Sequence, residues 1–291
     1  MDSHLTTVVV ALIAAVLLAA NQVCGRIGLQ YGTVPQSWLV VFSTSALLII
    51  IQAMIVAPQP FQLTARATGL FAADGILYAC AAGLMLVSGL KVGPSTASAV
   101  KNASPVPAIL LAIPFLGEFP GPAEVIGTAM VVGGVLLLSG KAGARGRAAF
   151  WRPAMAFPIA AMLFFAVDNV VRKLGVHEVA HPMIGGAVAG VAMTIFAIVA
   201  FLVTRSRVPN LRAFRWFLLT GAFQGFAYYA IITALNSGSV AVVVPIYTSS
   251  PIFVILGSRL FLGHLETLTR RVVIGVVTVF AGIVVISIFG G

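Results

Sequence analysis

Long apolar runs separated by short polar connections make up most of the chain. Ten runs stand out, at roughly 5–25, 37–57, 67–90, 95–117, 122–140, 154–174, 182–204, 212–235, 240–262 and 270–289. Each is near the ~20 residues that carry a helix across about 30 Å of hydrocarbon. None alternates apolar and polar residues with a period of two, so barrel strands are not expected. The pattern predicts an all-α membrane protein with ten transmembrane helices.

Two of the runs depart from uniform apolarity in the same way. The stretch 95–118 carries Lys101, Asn102, Ser104, Pro105 and Pro107 near its middle and ends in Phe115-Leu116-Gly117-Glu118. Shifted by 146 residues, Tyr247 stands for Lys101, Thr248 for Asn102, Ser250 for Ser104 and Pro251 for Pro105. Phe261-Leu262-Gly263-His264 repeats the ending, with a histidine in place of the acid. Other spans match too. Asn21-Gln22 aligns with Asp168-Asn169, Arg26 with Lys173, Gly28 with Gly175, Gly75 with Gly221, Tyr78 with Gln224 and Gly127 with Gly275. The chain therefore divides into a first five-helix repeat (1–140), a basic connecting loop (141–153) and a second five-helix repeat (154–291). Five is odd, so the second repeat is expected to insert upside down relative to the first, as two inverted five-helix repeats.

Composition narrows the class. Hydrophobic residues make up 60% and charged residues 8%, against about 25% charged in a soluble domain. The solvent for so much apolar surface is lipid, and the chain is expected as a multi-pass protein of the plasma (inner) membrane. The net charge of +10 does not imply nucleic acid, because the basic residues fall in the short connections. Lys141, Arg145, Arg147, Arg152, Arg205, Arg207, Arg212, Arg215, Arg270 and Arg271 gather at one end. The positive-inside rule then puts that end in the cytoplasm and both termini outside. The start, Met1-Asp2-Ser3-His4, lacks the basic leader of a signal peptide, so the first run is expected to stay as a span. Cys24 and Cys80 lie within apolar runs and read as small packing residues.

The paired Pro…Phe-Leu-Gly-Glu and Pro…Phe-Leu-Gly-His endings, on ten spans in two halves, resemble the drug/metabolite transporter superfamily and, within it, the EamA family. Within that family the chain resembles the YddG-like amino-acid exporters. The resemblance implies export of small metabolites by alternating access, with a central cavity walled by the non-terminal spans. It also implies that the fifth and tenth spans pack peripherally. Members usually have cytoplasmic termini, which the loop charges here oppose. His264 makes any role of the motif's acid unequal between the halves.

Polar groups inside a span are costly and mark functional positions. Asn21, Gln22, Tyr78, Lys101, Asn102, Asp168, Asn169, Gln224, Tyr228, Tyr247 and Thr248 are the candidate substrate-binding set, and Tyr229 could join them. Asp168 reads either as a contact for a substrate amine or proton, or as a local partner of Arg172 one turn on. Lys101 could meet a substrate carboxylate or snorkel to the interface. Asp74 could border the cavity or serve a helix end. The asparagines and glutamines could equally bind helix to helix. Pro105, Pro107, Pro245 and Pro251 are candidate hinges, since each removes a backbone donor within a span.

The function expected is a secondary transporter exporting small metabolites, most of all amino acids, with aromatic and other neutral ones included. The alternatives are an exchanger or flippase for phosphorylated, nucleotide-linked or lipid-linked substrates. A phosphate site should gather several basic residues, and within the spans only Lys101 is available. A membrane enzyme is not expected: His-Glu-x-x-His is absent, no phosphate loop is present, and no nucleophile–histidine pair shares a depth. No cofactor or metal is expected. The partners are a small-molecule substrate and the lipid bilayer, with a monomer as the simplest assembly.

Overall fold

The computed structural model describes residues 3–56, 63–139, 153–255 and 270–289, and these are helical between short turns. The first half holds α1 (Ser3–Gly28), α2 (Val34–Val56), α3 (Ala65–Val92), α4 (Pro94–Lys101), α5 (Pro105–Leu116) and α6 (Pro122–Ser139). The second holds α7 (Ala156–His177), α8 (Pro182–Val203), α9 (Leu211–Ser237), α10 (Val240–Thr248) and α11 (Arg270–Phe289). Among the described residues, seven segments are long and apolar enough to cross a membrane, with α4 and α5 forming one of them over Thr96–Leu116. Pro122–Leu138, Val240–Ile255 and Val273–Phe289 are shorter apolar helices. The basic connection and the second ending at 261–264 lie outside the described residues.

Equivalent residues of the two halves do equivalent work. Thr64 caps α3 by accepting from the Ala67 amide at 3.0 Å, and Asn210 caps α9 by accepting from the Ala213 amide at 2.8 Å. Each satisfies one of the donors that a helix start leaves free. Phe71 on α3 packs on Gly175 of α7, while Phe217 on α9 packs on Gly28 of α1. A side chain at Gly75 would overlap the Ala189 carbonyl, and one at Gly221 the Val41 carbonyl.

Helix pairing follows the same exchange. α1 packs along α9 and α3 along α7, so each half offers the same two surfaces to the other. α2 packs on α8 and α6 on α11. The α6–α11 seam runs on glycine: Gly127 abuts the Gly282 carbonyl and Gly134 the Gly275 carbonyl, each reciprocated. Without side chains at these points the backbones can approach closely, the packing mode that holds helices together in lipid. Large apolar side chains such as Ile51, Ile55, Ile195 and Val199 face outward, where hydrocarbon needs no cover.

The span expected as continuous from 95 to 117 is broken. α4 ends at Lys101, and α5 restarts at Pro105 after a turn through Asn102, Ala103 and Ser104. Ser104 N–H bonds the Lys101 carbonyl at 2.9 Å. The second half repeats the break: α10 stops at Thr248, Ser250 N–H bonds the Tyr247 carbonyl at 3.3 Å, and helix resumes at Pro251. Proline lacks the amide that would continue the ladder and suits the first turn of a new helix. Pro107 lies in the first turn of α5, and Pro245 lies within α10.

Candidate functional site: a charged cavity between the halves

The interrupted helices and their neighbours enclose a cavity of about 130 Å³ between the halves. Its wall draws on α1, α3, α4, α7, α9 and α10, with Ser104 and Ser250 from the turns; α6 and α11 contribute nothing to it. Most wall positions come in repeat-related pairs: Leu18 with Phe165, Asn21 with Asp168, Gln22 with Asn169, Tyr78 with Gln224, Lys101 with Tyr247, and Ser104 with Ser250. Tyr228 and Thr248 complete the set that sequence reasoning brought forward. Asn102 is not on the wall. It ends α4 with its amide on the Ser98 and Val100 carbonyls, and the turn that follows brings Ser104 to the cavity instead. Tyr229, half-buried, packs into the apolar cluster around Ile49 and Phe71.

Several wall groups bond one another. Gln224 Nε2 donates to Tyr78 Oη at 2.8 Å, and Gln22 Nε2 to Ser250 Oγ at 3.1 Å. Tyr247 Oη donates to Asn169 Oδ1. Asn21 Nδ2 donates to the Thr220 carbonyl at 2.9 Å, tying α1 to α9. Asn169 Nδ2 bonds the Phe165 carbonyl on its own helix at 2.7 Å. The rings of Phe42, Tyr78 and Phe165 form an edge-on series with centroids 6.1 and 5.8 Å apart.

The charges are enclosed by protein. Arg172 is 3% exposed. Its Nη2 lies 2.8 Å from both Asp74 Oδ1 and Asp168 Oδ2, and its Nε donates to Asp74 Oδ1 at 3.0 Å. Asp74, 0% exposed, also accepts from Tyr228 Oη at 2.5 Å. Asp74 therefore neither borders the cavity nor caps a helix; it links α3 to α7 and α9. The guanidinium lies 5.0 Å from the centre of the Tyr228 ring. Sequence reasoning had the Asp168–Arg172 spacing but not the third member. The signal available was charge balance: carboxylates in hydrocarbon need a cation, and Arg172 is one turn from Asp168.

Two charged groups on the wall are left open. Asp168 Oδ1 accepts no bond among the described residues. Lys101 Nζ sits 5.0 Å over the Phe165 ring, with no carboxylate within ion-pair distance among the described residues.

A second polar cluster closes the bundle nearer the end of α7. Lys173 donates to the Leu235 carbonyl and, at 2.8 Å, to the Gly238 carbonyl, and lies 3.7 Å from Glu118 Oε1. Glu118 Oε2 accepts from the Val240 amide at 2.7 Å, at the start of α10. The motif's acid thus caps a helix of the opposite half.

The sequence profile of the EamA-like transporter family matches residues 5–140 and 152–288, one copy in each half. The chain is also 32% identical over 104 residues to the uncharacterized transporter YwfM of Bacillus subtilis (strain 168). That match spans 33% of this chain and 35% of YwfM. A protein of known crystal structure has the same fold, with a TM-score of 0.80 and 16% identity over 97% of this chain and 98% of its own.

Proposed function

The chain belongs to the EamA-like transporter family, and from that premise we propose that it is a secondary carrier that exports amino acids through the cavity by alternating access. The observation carrying the substrate class is the wall itself. Asp168, one of whose oxygens accepts no bond among the described residues, and Lys101, whose ammonium has no carboxylate partner there, line one small space with aromatic and amide groups around them. Amino acids offer the matching pair of charges and an apolar remainder for the rings. This reading groups the chain with the YddG-like exporters. A phosphate-bearing substrate fits poorly: of the two cations on the wall, Arg172 is already engaged by Asp74 and Asp168, which leaves Lys101 to hold several negative charges beside a carboxylate.

Alternating access follows from the repeats. Ten spans in two halves of five insert in opposite senses, and the exchange of α1–α9 and α3–α7 contacts supports that arrangement. The breaks before Pro105 and Pro251 let each half bend at the depth of the cavity. The basic end faces the cytoplasm under the positive-inside rule.

Purified protein in liposomes tests this. A panel of labelled amino acids is offered with and without a pH gradient. Saturable uptake of several neutral amino acids is the expected result. Uptake of none would defeat the amino-acid assignment, and uptake of phosphorylated compounds instead would favour the exchanger reading.

A further inference from the structure

The halves line the cavity with matched positions, and its open charges lie where the match fails. Asp168 has neutral Asn21 as its counterpart, and Lys101 has neutral Tyr247. The second half thus contributes the open anion and the first half the open cation. A two-fold scaffold that could accept a ligand either way round has been made directional.

We propose that the cavity holds a zwitterion in one orientation, ammonium on Asp168 and carboxylate on Lys101, and that these two residues make both charges obligatory. The proposal rests on the amino-acid reading above and deepens it. Three observations carry it. First, each residue has a free bonding position: Oδ1 of Asp168 and Nζ of Lys101. Second, both residues line the same cavity of about 130 Å³, a space for one small molecule. An α-amino acid carries its two charges on groups joined to a single carbon, so one such molecule presents both charges within that space. Third, the charges of the wall and the ion cluster behind it already balance. Asp74 and Asp168 are offset by Arg172 and Lys101, so a zwitterion leaves the site neutral. An amine or an acid alone would add a full charge in a low-dielectric space, where an uncompensated charge is expensive.

Arg172 holds Asp168 by one oxygen only, Oδ2 against Nη2, while Nε and the same Nη2 engage Asp74. That keeps the carboxylate in place while leaving its second oxygen for the ligand. Arg172 acts here as a positioning residue.

The test uses valine and its two single-charge analogues, isobutylamine and 3-methylbutanoate, as inhibitors of labelled-valine counterflow in liposomes. In the unsubstituted protein, valine should inhibit at concentrations at least about tenfold below either analogue, as in sites built to bond a specific polar group. Lys101→Tyr copies the residue of the other half; it should bring isobutylamine close to valine and leave 3-methylbutanoate excluded. Asp168→Asn copies Asn21 and should do the reverse. Because Asp168→Asn also disturbs Arg172, Lys101→Tyr and a second variant, Lys101→Gln, decide the matter, with titration calorimetry on purified protein as a binding readout independent of turnover. A lysine variant that keeps the full preference for valine over isobutylamine overturns the orientation. So does an unsubstituted protein that moves valine yet is inhibited equally by all three compounds, which would leave the amino-acid carrier intact. Failure to move any amino acid defeats that reading and the orientation with it.

Discussion

Gln224 donates its amide to the hydroxyl of Tyr78 at 2.8 Å, and the two residues are counterparts 146 positions apart. A residue that touches its own repeat equivalent lies where the halves meet about a common axis. Divergence at this position gives one long donor and one ring acceptor. Tyr78→Phe and Gln224→Leu should therefore be non-additive in a double-mutant cycle read by thermal melting in detergent. The expected coupling is about 0.5–1.5 kcal/mol, the usual range for one hydrogen bond. Additive losses would mean that the bond does not join the halves.

The Asp74–Arg172–Asp168 cluster makes a sharper prediction. Arg172→Met leaves two carboxylates, 0% and 1% exposed, without their cation. Removing one partner of a buried ion pair typically costs about 3–5 kcal/mol. The combined variant Asp74→Leu, Asp168→Asn, Arg172→Met removes the mismatch and should melt higher than Arg172→Met alone. A combined variant that melts no higher would show that the cluster is not an isolated charge-compensating unit. Tyr228→Phe removes one bond to Asp74 and should cost about 1–3 kcal/mol.

Much of this arrangement was legible in the chain, and the reasons differ by feature. Span positions follow from runs of apolar residues whose only solvent is lipid. The wall residues followed from duplication: Asn21 with Asp168 and Lys101 with Tyr247 are polar at matched depths, and the structure brings both pairs to one cavity. Asp74 was not assigned correctly, because its partner Arg172 is 98 residues away and only packing of α3 on α7 joins them. Asn102 was misplaced because the chain leaves helical register just after Lys101, so spacing along an unbroken helix no longer predicts which way a residue faces. Lys173 entered the sequence reading only as the counterpart of Arg26, yet it is 4% exposed and holds carbonyls at the end of α9.

The α6–α11 seam should separate stability from transport. A methyl group at Gly134 would sit 2.8 Å from the Gly275 carbonyl, and one at Gly282 2.7 Å from the Gly127 carbonyl. Backbone cannot yield as a side-chain tip can, so Gly134→Ala and Gly282→Ala should each destabilise by about 1–3 kcal/mol, as overpacking does. Neither helix lines the cavity, so the KM for uptake by the surviving folded protein should not change. A large KM shift with normal melting would place the seam in the transport machinery.

Glu118 and Lys173 form the tie between α5, α7 and the start of α10. Glu118→Gln keeps a group able to accept from the Val240 amide but gives up the charge facing Lys173. Glu118→Ala leaves that amide and Lys173 without their carboxylate. The alanine variant should therefore melt lower than the glutamine variant by about 1 kcal/mol, the typical worth of a helix-start acceptor. Equal losses would assign the whole effect to the ion pair.

Proline at the two breaks gives the prediction that bears most directly on movement. Lys101 ends α4 and Tyr247 is the last residue but one of α10; the third amide after each bonds back to it, and both turns run into proline. The wall residues thus sit at the points where the helix ladder is interrupted. Replacing Pro105 or Pro251 by alanine restores an amide and a better helix former, which lets an α-helical bond close across the break. The substituted protein should melt at the same temperature or slightly higher. Transport should nevertheless slow, because straightening the helix removes the bend about which each half moves and shifts the turn that carries the wall residue. A tenfold drop in turnover corresponds to about 1.4 kcal/mol in the barrier, within the range that one added helix bond provides. The effect should appear in Pro105→Ala and Pro251→Ala alike if both halves flex, and in only one if a single half moves. Unchanged turnover in both, with uptake measured per folded molecule, would remove the breaks from the transport cycle and leave them as packing features of the cavity.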